Sequence, residues 1–458
     1  MPHMSPEEFR RHGYEVIDWI TDYMKGVESL PVQPSVEPGE IRKMLPDSAP
    51  EEPEAFADIM ADLDRVVVPG LLHWQSPNFF GFFPVGSSPP SVLADFISTG
   101  LGVNGITWAS SPALTEVESQ VLDWLADLLG LPETWKTTGP GGGVIQLSAS
   151  NSSHISIVAA RHRAGPGPDL MVAYTSSQSH SSIEKGARVA GIGHVRLIET
   201  DAEFAMRPAA LQEAIDRDRA AGLQPMFVCS TVGTTGTTAV DPVAEIGAIA
   251  RAEGLWHHVD AAYAGTAMIC PELRYLQPGL ETVDSYVVNP HKWMLVSFDC
   301  SVLYVADRDP LIDALDITPS YLRAAGDDEV IMYRNWHVSL GRRFRALKLW
   351  FVLRSYGAEA IRGLIRKHIG FANDLAARLE ADERFEVIAP HPLALVCFRH
   401  IGGNEPTRAL ADAVNSSGKA YLTSASHDDR WYIRISTSQA NTEQRHIDQL
   451  WSLIDELA

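Results

Sequence analysis

From about Pro89 to Ala306 the chain repeats one texture: short apolar runs rich in β-branched residues, each separated from the next by a stretch with helical spacing. The runs are LMVAYTSS from 170, HVRLI from 194, MFVCSTV from 226, LWHHVD from 255, SYVVN from 285 and SVLYVA from 301. Apolar runs without alternation belong to strands buried on both faces, the condition of parallel strands covered by helices. An α/β sheet with helices on both sides follows. Helix starts support it. Ser111 and Pro112 open a helix whose Leu114, Val117, Val121, Leu125 and Leu128 share a face, and Asp241 with Pro242 opens another.

The flanks differ. Ser5 caps a helix with Pro6 at its first position and Glu8 closing a capping box, and Phe9, Val16, Ile20 and Tyr23 form its apolar stripe. A proline-rich, acidic connector, 30–54, leads to a second helix near Phe56 to Val67. Two such helices make a poor core alone, so the reading is a helical flap that docks on the main body or on a partner subunit. After about Phe344, long helical patterns surround strand candidates at FEVIA, ALVCF and WYIRIS, an α+β arrangement. The expected division is a flap at 1–88, a large α/β domain at 89–345 and a C-terminal α+β domain at 346–458.

Composition excludes more than it selects. The 58 acidic against 37 basic residues give a formal charge of −21, which repels phosphate backbones and anionic lipid surfaces, so no nucleic acid partner is expected. No apolar run approaches the roughly 20 residues a membrane helix needs, and the opening MPHMSPEEFRRHGYEV lacks the basic start and apolar core of a signal peptide. Cys229, Cys270, Cys300 and Cys397 are widely spaced, as for reduced thiols, so the expected location is cytoplasmic.

The chemistry concentrates beyond the strands. Only eight lysines occur, yet Lys292 in SYVVNPHKW follows a buried strand and precedes the apolar run WMLV, where a permanent charge is costly. An amine that is neutral part of the time suits Schiff-base formation with a carbonyl cofactor, although a lysine snorkelling to solvent is the commoner case. Thirty-two residues earlier, Asp260 in HHVDAAYAG ends a strand and is followed by small residues that admit a flat ring. A carboxylate there can hold a pyridine nitrogen protonated; by itself it reads equally as a turn cap. In an open α/β sheet both groups face the crevice beyond the carboxyl ends of the strands. GPGGGVIQLSASNSS, from 139, brings backbone N–H groups and the Ser148 and Ser150 hydroxyls to a helix start, an anion site without the lysine of a nucleotide-binding loop. His180 also follows a strand, where its imidazole can stack on a ring.

The run from Pro69 onward resembles the group II pyridoxal-phosphate (PLP) dependent decarboxylases, most closely the aromatic L-amino-acid decarboxylases. The likeness rests on HWQSPNFFGFFP, SSPALTEVE, GGGVIQLSAS, HSSIEKGA, HVDAAYAGTAMICPE, NPHKWMLVSFDCS and LGRRFRALKLWFVLRSYG. It implies fold type I, like aspartate aminotransferase: a mostly parallel central sheet with helices on both faces, a helical flap and a C-terminal α+β domain. The implied activity is decarboxylation of tryptophan, phenylalanine, tyrosine or dihydroxyphenylalanine with PLP as cofactor, no metal, a small amino acid as substrate and a homodimer as assembly.

Carried over residue by residue, the resemblance implies Lys292 as the Schiff-base lysine, Asp260 as the pyridine-nitrogen partner and His180 as the stacked ring. Ala149, Ser150, Ser285, Asn289 and His291 match phosphate and ring neighbours, and Thr235 and Ala262 line the cofactor. Tyr321, in ITPSYLRAAG, matches a loop tyrosine that returns the proton after carbon dioxide leaves; relatives without it tend toward aldehydes. Trp74, Phe82, Phe83, Pro84, Val85, Asn104, Ile106 and Gly341 match the substrate pocket, Gly341 leaving room for a large ring. Five positions depart from the family pattern: Val85, Asn104, Ile106, Leu147 and Asn151.

Three rivals remain. An aldehyde synthase, or a decarboxylase of acidic or diamino acids, shares the cofactor chemistry. A metal-dependent hydrolase would use His257, His258, Asp260 and His291, but successive strand residues point to opposite faces, so His257 and His258 cannot share one ion. A binding protein without catalysis has no use for the lysine, aspartate and tyrosine together.

Overall fold

The computed structural model describes residues 3–317 and 330–458. By mutual packing the chain forms two compact units, one of Met1–Pro84, Asp382–Glu386 and Arg399–Ala458, the other of Val85–Ala381 and Val387–Phe398. The flap, body and cap named above are consecutive stretches, whereas these units interleave along the sequence.

Each of the six runs from LMVAYTSS to SVLYVA becomes a strand. The strands are β1 (Gly142–Gln146), β2 (Met171–Ser176), β3 (His194–Ile198), β4 (Gln224–Thr231), β5 (Trp256–Asp260), β6 (Ser285–Val288) and β7 (Ser301–Val305). They form one sheet of order β1-β7-β6-β5-β4-β2-β3. Strands β3, β2, β4, β5 and β6 run parallel, so their carboxyl ends share one edge. That edge is where the site forms.

Two features differ from the sequence reading. SVLYVA was expected among the parallel strands, but β7 runs antiparallel to both β6 and β1. The connection from β6 holds only the short helix Pro290–Trp293, and without a covering crossover helix the chain turns back beside its predecessor. The stretch before the helix start is itself a strand, β1, which includes Gly142 and Gly143. A Cβ at Gly143 would stand 2.7 Å from the Tyr304 ring and 3.2 Å from Leu122, so glycine here serves close packing against β7 and a neighbouring helix.

Helix signals held where capping was local. Ser5 Oγ accepts the Glu8 N–H and Glu8 reciprocates in the helix Pro6–Gly26, and Ser111 Oγ accepts the Leu114 N–H in Pro112–Leu129. Asp241 does not cap its helix. Val243–Glu253 starts after Pro242, while the fully buried Asp241 carboxylate accepts the N–H groups of Met206 and Thr231 at 2.7 Å each. Burial pushes its pKa up to about 7 against the pull of those two donors.

Strands β8 (Phe385–Val387), β9 (Leu395–His400), β10 (Thr423–His427) and β11 (Arg430–Ser436) make a second sheet of order β10-β11-β9-β8. Strand β10, TSASH, has no apolar pattern and was not anticipated. Among the described residues no helix is long and apolar enough to cross a membrane.

Candidate active site

Asp260 closes β5 at the carboxyl edge and is 5% exposed. Its Oδ1 accepts the Ala262 N–H at 3.0 Å, and its backbone carbonyl accepts the Val232 N–H at 2.9 Å. One strand over, β6 ends at Val288 and Asn289 caps the short helix that carries His291 and Lys292. The Asn289 N–H reaches the Ala262 carbonyl at 3.0 Å, so the backbones bearing the aspartate and the lysine are joined directly. Lys292 is half-buried, and its neighbour Trp293 stacks on Tyr263 at 4.8 Å and donates Nε1–H to His368 Nδ1 at 3.0 Å. Those rings hold the lysine turn from behind.

His180 lies beyond the end of β2. Its Nδ1 accepts the Ser182 N–H at 3.1 Å, which leaves the proton of the neutral ring on Nε2. The residue is exposed, yet its neighbours crowd the ring enough that desolvation lowers its pKa; Asp260 raises it and Lys292 lowers it further. Its charge environment is therefore set by the same two groups. His291 is buried, its Nδ1 accepting the Cys300 N–H at 3.0 Å, and burial with the adjacent Lys292 charge takes its pKa down to about 3. It is a neutral ring at any ordinary pH.

At the same edge, β1 leads into the helix Ala149–Ala164. Ser148 Oγ accepts the Asn151 N–H, and the N–H groups of Ala149 and Ser150, at the first two helical positions, have no acceptor within the helix. Thr235, exposed, follows β4, and Ala262, 8% exposed, follows Asp260.

Ser285 is a correction. It opens β6 rather than closing it, roughly 13 Å along the chain from Asn289 at the usual rise per residue. It is fully buried, with its hydroxyl bonded to Trp256 Nε1 and His258 Nδ1 at 2.8 Å each, so it supports the sheet and does not face the edge.

Among the substrate-pocket positions, Val85, Asn104, Ile106 and Gly341 belong to the same unit as Lys292, and Trp74, Phe82, Phe83 and Pro84 to the other. In that other unit Trp74 stacks on Phe82 at 5.4 Å, and Phe82 is held at φ 48°, a conformation a bulky residue adopts only when its surroundings demand it. Asn104 Oδ1 accepts the Arg342 N–H at 2.9 Å, beside Gly341. Tyr321 lies outside the described residues.

Sequence reasoning missed the seat of the lysine turn. The Gly86 N–H donates to the His291 carbonyl at 2.8 Å, Ser88 Oγ donates to the Leu295 carbonyl at 2.7 Å, and a Cβ at Gly86 would stand 2.9 Å from the Lys292 carbonyl oxygen. The run of small residues VGSS, directly after FFP, was the available signal.

Pyridoxal phosphate needs a site for its phosphate, a carboxylate for its ring nitrogen and an amine for its aldehyde. The residues fit it: a helix start with two N–H groups to offer, a buried carboxylate at the end of the adjoining strand system, and a lysine on the next turn. Asn289 is 3% exposed with Oδ1 lacking any hydrogen-bond partner, a polar group that a bound ligand would satisfy. The metal alternative finds no geometry. His257 and His258 are tied to Ser230 on one side and to Ser285 and Ser153 on the other, and no group of three metal-ligating side chains converges among the described residues. This fold and edge are those of a PLP enzyme of fold type I.

Residues 38–401 match the pyridoxal-dependent decarboxylase conserved domain. The chain is 44% identical to the aromatic-L-amino-acid decarboxylase of Bos taurus, over 99% of this chain and 97% of that one. It is also 44% identical to the phenylacetaldehyde synthase of Arabidopsis thaliana, over 99% and 96% respectively. The structure superposes on that of Oryza sativa TDC with PLP and tryptamine with a TM-score of 0.98 at 38% identity, covering 100% of this chain and 99% of the other. The chain belongs to the pyridoxal-dependent decarboxylases, in the group of the aromatic amino-acid decarboxylases, and its cofactor is pyridoxal phosphate.

Proposed function

We propose that this enzyme removes the carboxylate of an aromatic L-amino acid as carbon dioxide and releases the amine. The observation that carries the reading is the shared edge of β5 and β6, where Asp260 and the Lys292 turn are bonded backbone to backbone through Ala262 and Asn289. Pyridoxal phosphate, when bound, supplies the electron sink that accepts the pair left on Cα as the carboxylate departs.

The protein's own residues do the rest. Ala149, Ser150 and Asn289 would hold the phosphate, Ala149 and Ser150 through their N–H groups. Asp260 would hold the ring nitrogen protonated, Ala262 would leave room for the ring, and His180, itself neutral, would pack against it without adding positive charge. Thr235 and the buried His291 complete the surroundings. Lys292 would anchor the cofactor through its amine, and the same amine, when free, would pass protons. Val85, Ile106 and Gly341 border the aromatic side chain, and the orientation of the Cα–carboxylate bond decides which bond breaks. Tyr321 returns a proton to Cα.

The test is a panel of aromatic, acidic and diamino acids supplied to the PLP-loaded protein, with products identified by mass. Amine and carbon dioxide in equal amounts from aromatic substrates alone is the expected result. Aldehyde, ammonia and consumption of dioxygen would instead assign an aldehyde synthase, and amine from acidic or diamino acids would move the substrate class.

The reading includes a homodimer. On the helix Pro89–Leu101 the residues Leu93, Phe96, Ile97 and Leu101 are 43–57% exposed at helical spacing, an apolar stripe of the kind that marks an association surface. In the other unit, the helix Pro6–Gly26 buries no residue and exposes Phe9, Tyr14 and Ile17. Light scattering on the purified protein is expected to give twice the 50.2 kDa chain mass, and a monomer mass refutes the assembly. Cytoplasmic residence is part of the reading, supported by four buried cysteines that form no disulfide among the described residues.

A further inference from the structure

The loop that follows Lys292 does not hold its own shape. Residues 294–300 form neither strand nor helix, and Leu295 sits at φ 60°, a left-handed conformation that a bulky residue adopts only when its surroundings impose it. Two helices supply the imposing groups. At the start of Pro89–Leu101, Ser88 Oγ donates to the Leu295 carbonyl at 2.7 Å and Ser91 Oγ accepts the Ser297 N–H at 2.7 Å. From Ala346–Glu380, Lys348 Nζ donates to the Ser297 carbonyl at 3.1 Å.

Lys348 is fully buried, and its ion pair is loose. Asp95 Oδ1 stands 3.8 Å from Nζ and is shared with Arg343, whose Nη2 it accepts at 3.0 Å. Burial lowers the Lys348 pKa, the Cys300 thiol, Asp95 and Asp299 raise it, and Arg343 lowers it. A buried ammonium with so distant a counter-charge is costly, and an apolar side chain of like length would fill the same space without that cost. What an apolar side chain cannot do is satisfy the Ser297 carbonyl.

That carbonyl matters because of what the loop is tied to. The Cys300 N–H donates to His291 Nδ1 at 3.0 Å, and the His291 N–H donates to the Cys300 carbonyl at 3.2 Å. The Val296 N–H reaches back to the Pro290 carbonyl at 3.4 Å, and the Phe298 ring lies 4.9 Å from that of His291. Both ends of the loop therefore close on the helical turn that carries Lys292, and the Lys348 and Ser91 contacts grip its middle. A shift of the loop carries His291 and Lys292 with it.

We infer that Lys348 is a positioning residue for the reaction: its ammonium, together with Ser91, fixes the loop 295–299, and the loop fixes the Lys292 amine relative to Asp260. Lys348 acts through Ser297, Cys300 and His291 and not on the substrate. The inference rests on the reading of Lys292 as the lysine that carries the cofactor.

The test compares the PLP-loaded parent with Lys348→Met, Lys348→Arg and Ser91→Ala, each well below its melting temperature. The expected fall in kcat is about a hundredfold in Lys348→Met, the scale of a misplacement near one ångström, and about tenfold in Ser91→Ala, with KM within about twofold of the parent. The second readout is the visible circular dichroism of the bound cofactor, an achiral group whose signal comes only from the orientation the protein imposes. It should weaken in both variants. Lys348→Arg keeps the charge and a donor and should recover part of both losses. Parental kcat, or an unchanged dichroism, in folded Lys348→Met overturns the inference whatever the melting temperature does, because that pattern marks a merely structural lysine.

If Lys348→Met does not fold, Ser91→Ala decides by the same readouts, since it removes one hydroxyl and no charge: a joint loss sustains the inference, and a parental value of either overturns it. Failure of the underlying reading shows separately, because borohydride would then fix the cofactor on another lysine or on none. Amide hydrogen exchange in the cofactor-free protein decides the clamp in that case. Faster exchange in Lys348→Met confined to residues 290–300 sustains it, and exchange equal to the parent, or faster throughout, overturns it.

Discussion

Lys292→Ala is expected to lower decarboxylation by at least about a thousandfold, because one residue provides both the covalent attachment and a proton relay. Lys292 lies on a four-residue helix whose fixed points are other residues: the Asn289 carbonyl accepting the Lys292 N–H, Trp293 stacked on Tyr263, and the Gly86 N–H on the His291 carbonyl. Removing the side chain leaves those contacts intact, so thermal unfolding should stay close to that of the parent. A purely structural lysine would give the reverse pattern, a lower melting temperature with activity retained. Mass spectrometry after borohydride treatment separates the two directly. The parent chain should gain the mass of the reduced cofactor and the variant should not, and full turnover by the variant would end the scheme.

Asp260→Asn should cost on the order of a hundred- to a thousandfold in kcat, the range for losing one fixed electrostatic contact to developing charge. The substitution is chosen to divide two roles. As a turn cap, Asp260 offers Oδ1 to the Ala262 N–H, and asparagine offers the same oxygen in the same place. As the partner of a protonated ring nitrogen it needs the negative charge, which asparagine lacks. A folded, cofactor-loaded variant with kcat reduced and KM little changed therefore identifies the charge as the working element, whereas near-parental kcat would return Asp260 to the status of a cap.

The placement of both residues at the strand edge was legible because each is marked locally. Apolar runs without alternation disclosed the strands, and a lysine or aspartate directly beyond a run must sit at a strand end. Ser285 was matched only through the family likeness, not from the run. It borders the same run as Asn289 and Lys292, but at its amino end, and a short run does not say which of its ends faces the ligand. The chain direction in the assembled sheet does. Gly143 and Gly86 were passed over because glycine signals a loop when read alone, while its use here is to admit the Tyr304 ring and the Lys292 carbonyl.

What the sequence determined by itself is what near neighbours along the chain settle: the helix caps at Ser5 and Ser111, the runs that become strands, the order of Asp260 and Lys292 after them, and the family. Only the tertiary structure decided that β7 reverses, that Asp241 spends its carboxylate on Met206 and Thr231, and that Asn104, Leu147, His337 and Arg342 meet at Gly341. Backbone periodicity and capping act over a few residues, whereas strand pairing and the partners of buried polar groups join residues from ten to more than two hundred positions apart, where no local pattern records which pairs will close.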